Sequence, residues 1–236
     1  MQSAIGLAEF KTREQAAYEV LRRAIIDGRL GPGEGLVVSR LAADLGVSRI
    51  TVANALKRLA GEDFVRLTPH KEAAVTPLAP EDIREIYLMR AELEALAAQE
   101  AAPKITGADL TDLHDLNDEI GRRKERLPLD IRSIRAADLD FHHRMREIAV
   151  MPYLAQTLQN LADRCEGYRA RTLDERQLVV PGPERHSDIL VALDSRNAGA
   201  SAIAMRRHVL AGMDAVLDVL GRSAVIIERG SPTRPS

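Results

Sequence analysis

Cysteine is nearly absent: Cys165 is the single one in 236 residues, so no intramolecular disulfide can staple the chain. Tryptophan is missing and aromatic residues make up only 3%, which argues against sheets built on aromatic and β-branched cross-strand pairs. No stretch approaches the roughly 18 consecutive apolar residues of a membrane span. The start "MQSAIGLAEFKTRE" lacks the basic and apolar regions of a secretion signal. Together these absences predict a cytoplasmic, reducing location and no membrane partner. A large excess of positive charge is missing too. The net charge is −2, which speaks against indiscriminate nucleic-acid binding.

What is present points to helices. Hydrophobic residues reach 45%, enough for a buried core, and alanine and leucine dominate them. Residues 1–77 hold eleven Lys/Arg against nine Asp/Glu, a balance of +2 that leaves −4 for the rest. In "REQAAYEVLRRAIID", residues 13–27, the apolar positions recur at helical spacing, and "GRLGPGEG" stops the run. "SRLAADLG" and "SRITVANALKRLAGE" then form two short helices joined at Gly46, with Ser39 and Ser48 expected as their N-caps. "FVRLTPHKEAAVTP" alternates in two short runs around a turn at residues 69–72 and predicts a β-hairpin. "TPLAPED", residues 76–82, is the linker. Six helices are predicted beyond it, over 81–102, 107–125, 130–149, 152–172, 183–194 and 198–220. The expected fold is mostly α: an N-terminal winged helix-turn-helix over 1–77 and an all-helical antiparallel bundle over 78–225. Residues 226–236 carry nothing to bury and are expected to form a disordered tail.

In a winged helix-turn-helix the second helix of the pair enters the major groove. That places Arg49, Thr51 and Asn54 against bases or phosphates, and His70 and Lys71 at the hairpin tip against the minor groove. Ser39 and Ser48, at helix N-termini, would meet phosphates. "LAADLGVSRITVANALKRLAGEDFV", preceded by "IIDGRLGPGE", resembles the DNA-binding domain of the GntR family of bacterial transcription regulators over about the first 75 residues. The resemblance implies double-stranded operator DNA as partner, with contacts from Ser39, Ser48, Arg49, Thr51, Ala53, His70 and Lys71. Ala53-Asn54 stands where the family commonly has arginine and glutamate, and "PHKE" where it has a glycine wing tip. An operator different from the common family sequence follows.

Helical phase sorts the crowded stretch "DLDFHHRM", residues 138–145. At about 100° per residue, Ile134, Phe141, Met145 and Ile148 form an apolar stripe that takes in Asp138, with His142 on its margin. Asp140, His143, Arg144 and Glu147 point the other way. An inward aspartate needs a partner. His186 shares a face with Ile189, Leu190 and Leu193, and His208 lies on a flank of small residues. Three inward histidines and one aspartate suit a divalent ion such as zinc or nickel. This set, with "FH" and the closing "MRRH", resembles the FCD ligand-binding domain of FadR-like GntR regulators over about residues 80–222. "VM" at 150–151 and "RN" at 196–197 replace that domain's usual turns. The resemblance implies Asp138, His142, His186 and His208 as metal ligands, a small organic-acid effector assisted by Arg90, and a homodimer.

The function expected is therefore a metal-containing, carboxylate-responsive transcription regulator, a repressor rather than an activator. Two other readings compete with it. One keeps DNA binding and makes the metal purely structural. The other is a metal-dependent enzyme on the helical domain, which would need a further inward acid or base that does not stand out in the sequence.

Overall fold

The computed structural model describes residues 12–69, 71–126, 130–172 and 184–230. Its first helix, α1 (Arg13–Ile26), is capped by Thr12, whose hydroxyl accepts from the Gln15 N–H, and it buries Ala17, Tyr18, Leu21, Ala24 and Ile25. A two-residue strand, β1 (Gly35–Leu36), precedes α2 (Val38–Leu45). The sequence predicts no such strand, because two residues are too short to show alternation. Ser39 is not the N-cap of α2: Val37 takes that position with no side-chain cap, and Ser39 lies exposed in the first turn. Gly46 ends α2 at φ 63°, the left-handed turn that a residue without Cβ adopts freely. Ser48 caps α3 (Arg49–Gly61) by accepting from the Thr51 N–H.

Strands β2 (Val65–Arg66) and β3 (Ala73–Val75) pair antiparallel, with β1 on the far side of β3. The sheet order is β1-β3-β2. Leu36, Val52, Leu56, Leu59, Phe64 and Val75 are each at most 3% exposed and join α1, the helix pair and the sheet in one core.

The remaining helices are α4 (Pro80–Ala101), α5 (Gly107–Glu125), α6 (Ile131–Ala149), α7 (Pro152–Thr172), α8 (Glu184–Asp194) and α9 (Ala198–Gly230). Helix α9 runs ten residues past its predicted end, so residues 226–230 of the expected tail are helical; "VIIER" carries no breaker before Gly230, where the helix ends. Residues 231–236 lie outside the described residues. Helix α4 packs on α9 and α6, α5 on α6 and α8, and α8 on α9. Small residues let α4 and α9 approach: Ala91 and Ala98 are fully buried, and the position a Cβ would take at Gly212 is 3.7 Å from Tyr87. Phe141, Met145, Leu158, Ile189, Leu193 and Met205, all 0% exposed, fill the centre. The chain divides into two compact units, one of residues up to Leu78 with Glu166–Thr172, the other of Ala79–Cys165 with residues from Leu173.

Candidate metal centre and DNA-facing helix

Helix α6 presents Asp138 and His142 one turn apart, α8 supplies His186 and α9 supplies His208. One ligand atom from each lies within 4.8 Å of the others. Nε2 of His142 is 3.1 Å from Nε2 of His208, and Nε2 of His186 is 3.4 Å from Oδ1 of Asp138. Ligands about 2.0–2.1 Å from a tetrahedral zinc stand about 3.3 Å apart, so two edges of such a polyhedron are already present. The depths differ from the phase reading: His142 is 2% exposed and Asp138 21%. Outside, Asp140 and Glu147 are exposed, and the His143 side chain is 60% exposed beside Glu147. Phe141 holds His186 in place by stacking, with centroids 4.2 Å apart.

Both ring nitrogens of His186 and Nδ1 of His208 are buried with no hydrogen-bond partner. Buried polar groups are rarely left so, and a bound cation would satisfy an Nε2 of this set. Burial pushes the His186 pKa down to about 4, Asp138 opposing, and pushes His208 well below the ordinary histidine value, helped by its two histidine neighbours. Both rings are neutral near pH 7, with a lone pair free for a metal. The residues present therefore fit a divalent ion.

Sequence reasoning missed Glu94. It is 0% exposed in α4, with Oε2 3.6 Å from Nδ1 of His142 and Oε1 3.8 Å from Nη2 of Arg90. Burial alone would raise its pKa; His142, Arg146 and Arg90 outweigh this and hold the carboxyl below its ordinary value. Glu94 is thus the inward acid that the sequence reading did not find. Its signal was available, since Ile83, Tyr87, Arg90, Glu94 and Ala98 recur at three- and four-residue spacing. Arg90 is 6% exposed, with its guanidinium 5.1 Å from the Tyr87 ring centroid, and is no ordinary surface charge. Arg146, 5% exposed, donates from Nε to the His142 carbonyl at 3.1 Å.

In the other unit, α3 buries Val52, Ala55, Leu56 and Leu59. Directly opposite them by helical phase stand Ile50, Asn54 and Lys57, with Arg49 and Thr51 on the two flanks. Thr51 and Ser48 share a hydroxyl contact of 2.8 Å, and Asn54 Nδ2 donates to Glu14 at 3.1 Å. Ile50 is 74% exposed, an apolar residue on this face that carries no hydrogen-bonding group to mark it in the sequence. Arg49 and Lys71 are exposed, Ala53 is half-buried, and His70 lies outside the described residues.

A winged helix-turn-helix followed by a helical domain with a buried histidine–carboxylate cluster defines a DNA-binding transcription regulator with a separate sensing module. Residues 13–75 match the bacterial regulatory proteins of the gntR family, and residues 85–211, over half of the chain, match the FCD domain. The chain belongs to the GntR family of regulators, in the branch that carries an FCD domain. It is 27% identical over 199 residues to the HTH-type transcriptional repressor RspR of Escherichia coli (strain K12), covering 83% of this chain and 85% of that protein. It is also 27% identical over 197 residues to the Nta operon transcriptional regulator of Aminobacter aminovorans, covering 82% and 89%. Among solved structures, E. coli McbR/YncC superposes with a TM-score of 0.71 at 22% identity, covering 88% of this chain and 97% of that one, a likeness of fold. Regulators of this family bind operator DNA and, through the FCD domain, small-molecule effectors. These relatives set the enzymatic reading aside despite Glu94. Among the described residues no helix is long and apolar enough to cross a membrane.

Proposed function

We propose that this regulator is a repressor whose helical domain, residues 78–225, holds a zinc or nickel ion through Asp138, His142, His186 and His208. A small organic acid then binds at the ion, and Arg90 assists. The observation that carries this reading is the convergence of four ligand atoms within 4.8 Å, with buried imidazole nitrogens left unsatisfied. With coordination higher than tetrahedral, the bound ion would supply an electropositive centre that keeps positions for a carboxylate beyond these four ligands. The chain's own part is to hold neutral imidazoles there and to bring a buried guanidinium, Arg90, onto the same side of α4 as Glu94.

The DNA-binding domain, residues 1–77, would read a two-fold operator as a homodimer. Its α3 would present Ile50, Asn54 and Lys57 to the major groove with Arg49, Thr51 and the cap Ser48 beside them, α2 would offer Ser39 to the backbone, and His70 and Lys71 would serve the wing. An isoleucine at the centre of that face is suited to the 5-methyl group of thymine. Metal analysis with DNA-binding titrations of wild type, His142→Ala and His208→Ala, with and without candidate acids, tests the reading. Loss of metal together with loss of the acid response is expected. Variants that lose metal yet respond normally would reduce the ion to a structural part, and variants that keep full metal content would overturn the site.

A further inference from the structure

Glu94 is a fully buried carboxylate with neither oxygen in a hydrogen bond. A buried carboxylate is costly unless it serves a partner. Its neighbours are two guanidiniums and one imidazole nitrogen, the Nδ1 of His142, which also lacks a hydrogen bond. The other nitrogen of that ring faces His208 at 3.1 Å and the proposed ion. A ring with one nitrogen toward a carboxylate and the other toward a cation matches the outer-shell arrangement that fixes tautomer and orientation in metal-binding histidines. Arg90 lies 3.8 Å from the other Glu94 oxygen, and Arg146 donates to the His142 backbone carbonyl.

Resting on the metal reading above, we propose that Glu94 is the positioning residue of the centre: it accepts Nδ1–H of His142 and so leaves the lone pair of Nε2 aimed at the ion. Asp138, His186 and His208 supply the remaining ligands, and Glu94 supplies none.

The test uses the full chain and Zn²⁺ or Ni²⁺ alone, titrated against a chromophoric chelator, for wild type, Glu94→Gln and Glu94→Leu. Long-range ¹H–¹⁵N spectra of the metal-free proteins read the His142 tautomer, and thermal melts check folding. Affinity is expected to fall about 10- to 100-fold, more for Leu, which keeps no acceptor, than for Gln. The single Nδ1–H tautomer of His142 should give way to a mixture, with His143 unchanged. Folded variants that keep wild-type affinity and a single His142 tautomer would overturn the proposal. A wild type that binds neither ion would sink the metal reading instead, and the metal-free spectra would still decide the role of Glu94.

Discussion

Asp138 and His142 share one turn and a half with Asp140 and His143, yet the chemistry available to the two pairs is opposite. Nε2 of His142 sits 3.1 Å from a second imidazole inside the bundle, whereas His143 leans on Glu147 at 3.4 Å in solvent. His142→Ala is therefore expected to abolish stoichiometric zinc or nickel in elemental analysis, and His143→Ala to leave it at the wild-type level. Ile50 makes a second prediction at this scale. A duplex selected from a random pool by the full chain should contain a thymine whose replacement by deoxyuridine, which removes one methyl group, weakens binding about fourfold. Ile50→Ala should bind the two duplexes equally, and since Ile50 is 74% exposed the exchange leaves the core intact. Equal binding of both duplexes by wild type would remove Ile50 from base reading without touching the DNA-binding assignment.

Helix ends carry the next set of consequences. Val150 closes α6 at φ 55°, a conformation that costs an L-residue roughly 1–2 kcal/mol and a β-branched one more. Its side chain is 73% exposed and has no packing to lose, so Val150→Gly should raise stability by about 1 kcal/mol, seen as a higher Tm. At the start of α5, Asp109 accepts from the Thr106 N–H and hydroxyl while Thr106 accepts from the Asp109 N–H, and Arg144 of α6 reaches Asp109 at 2.6 Å. The Thr106 hydrogen bonds, with Arg144 adding to them, hold this carboxyl below the ordinary 3.8. As pH falls the unfolded chain thus takes up its proton first; the stabilisation is complete above about pH 4 and is lost as acid titrates the folded carboxyl. Asp109→Asn should cost on the order of 1 kcal/mol at pH 7, with a smaller difference from wild type by pH 3 in denaturant melts. Elements of this kind were largely legible in advance: proline and glycine punctuation placed the six long helices, and Ser48 announced α3. The misses have physical causes. Strand β1 is held by pairing with β3, a partner some forty residues away, and Ser39 lost the cap because Val37 already has extended backbone. Helix α9 outran its predicted end because Gly221 is tolerated inside it and no proline follows before residue 232. At the site, phase within their own helices places Asp138, His142 and His186 inward and His208 on a flank of small residues, whereas the spacing of α4 shows only that Glu94 faces inward and not that it meets His142 of α6.

At the scale of the whole molecule, sensing and DNA reading occupy separate units, so an effector acts only through a difference in its affinity for the DNA-bound and free forms. The helix that follows the linker, α4, carries both Arg90 and Glu94. The chain as a whole is negative, −2, while residues 1–77 balance to +2, so attraction to DNA is confined to the reading unit and should depend steeply on salt. Arg49→Ala is expected to weaken binding across sequences and to reduce the slope of log K against log salt by about 0.9 if it neutralises one phosphate. Chelator-stripped protein should keep that salt-dependent binding and lose its response to acids. Reloading with zinc or nickel should restore a response in the roughly 5- to 150-fold range usual for coupled sites. By reciprocity the operator must then change acid affinity by the same factor. Calorimetry of acid binding with and without the duplex measures that factor, and unequal factors in the two directions would mean that acid and DNA are not linked through one equilibrium.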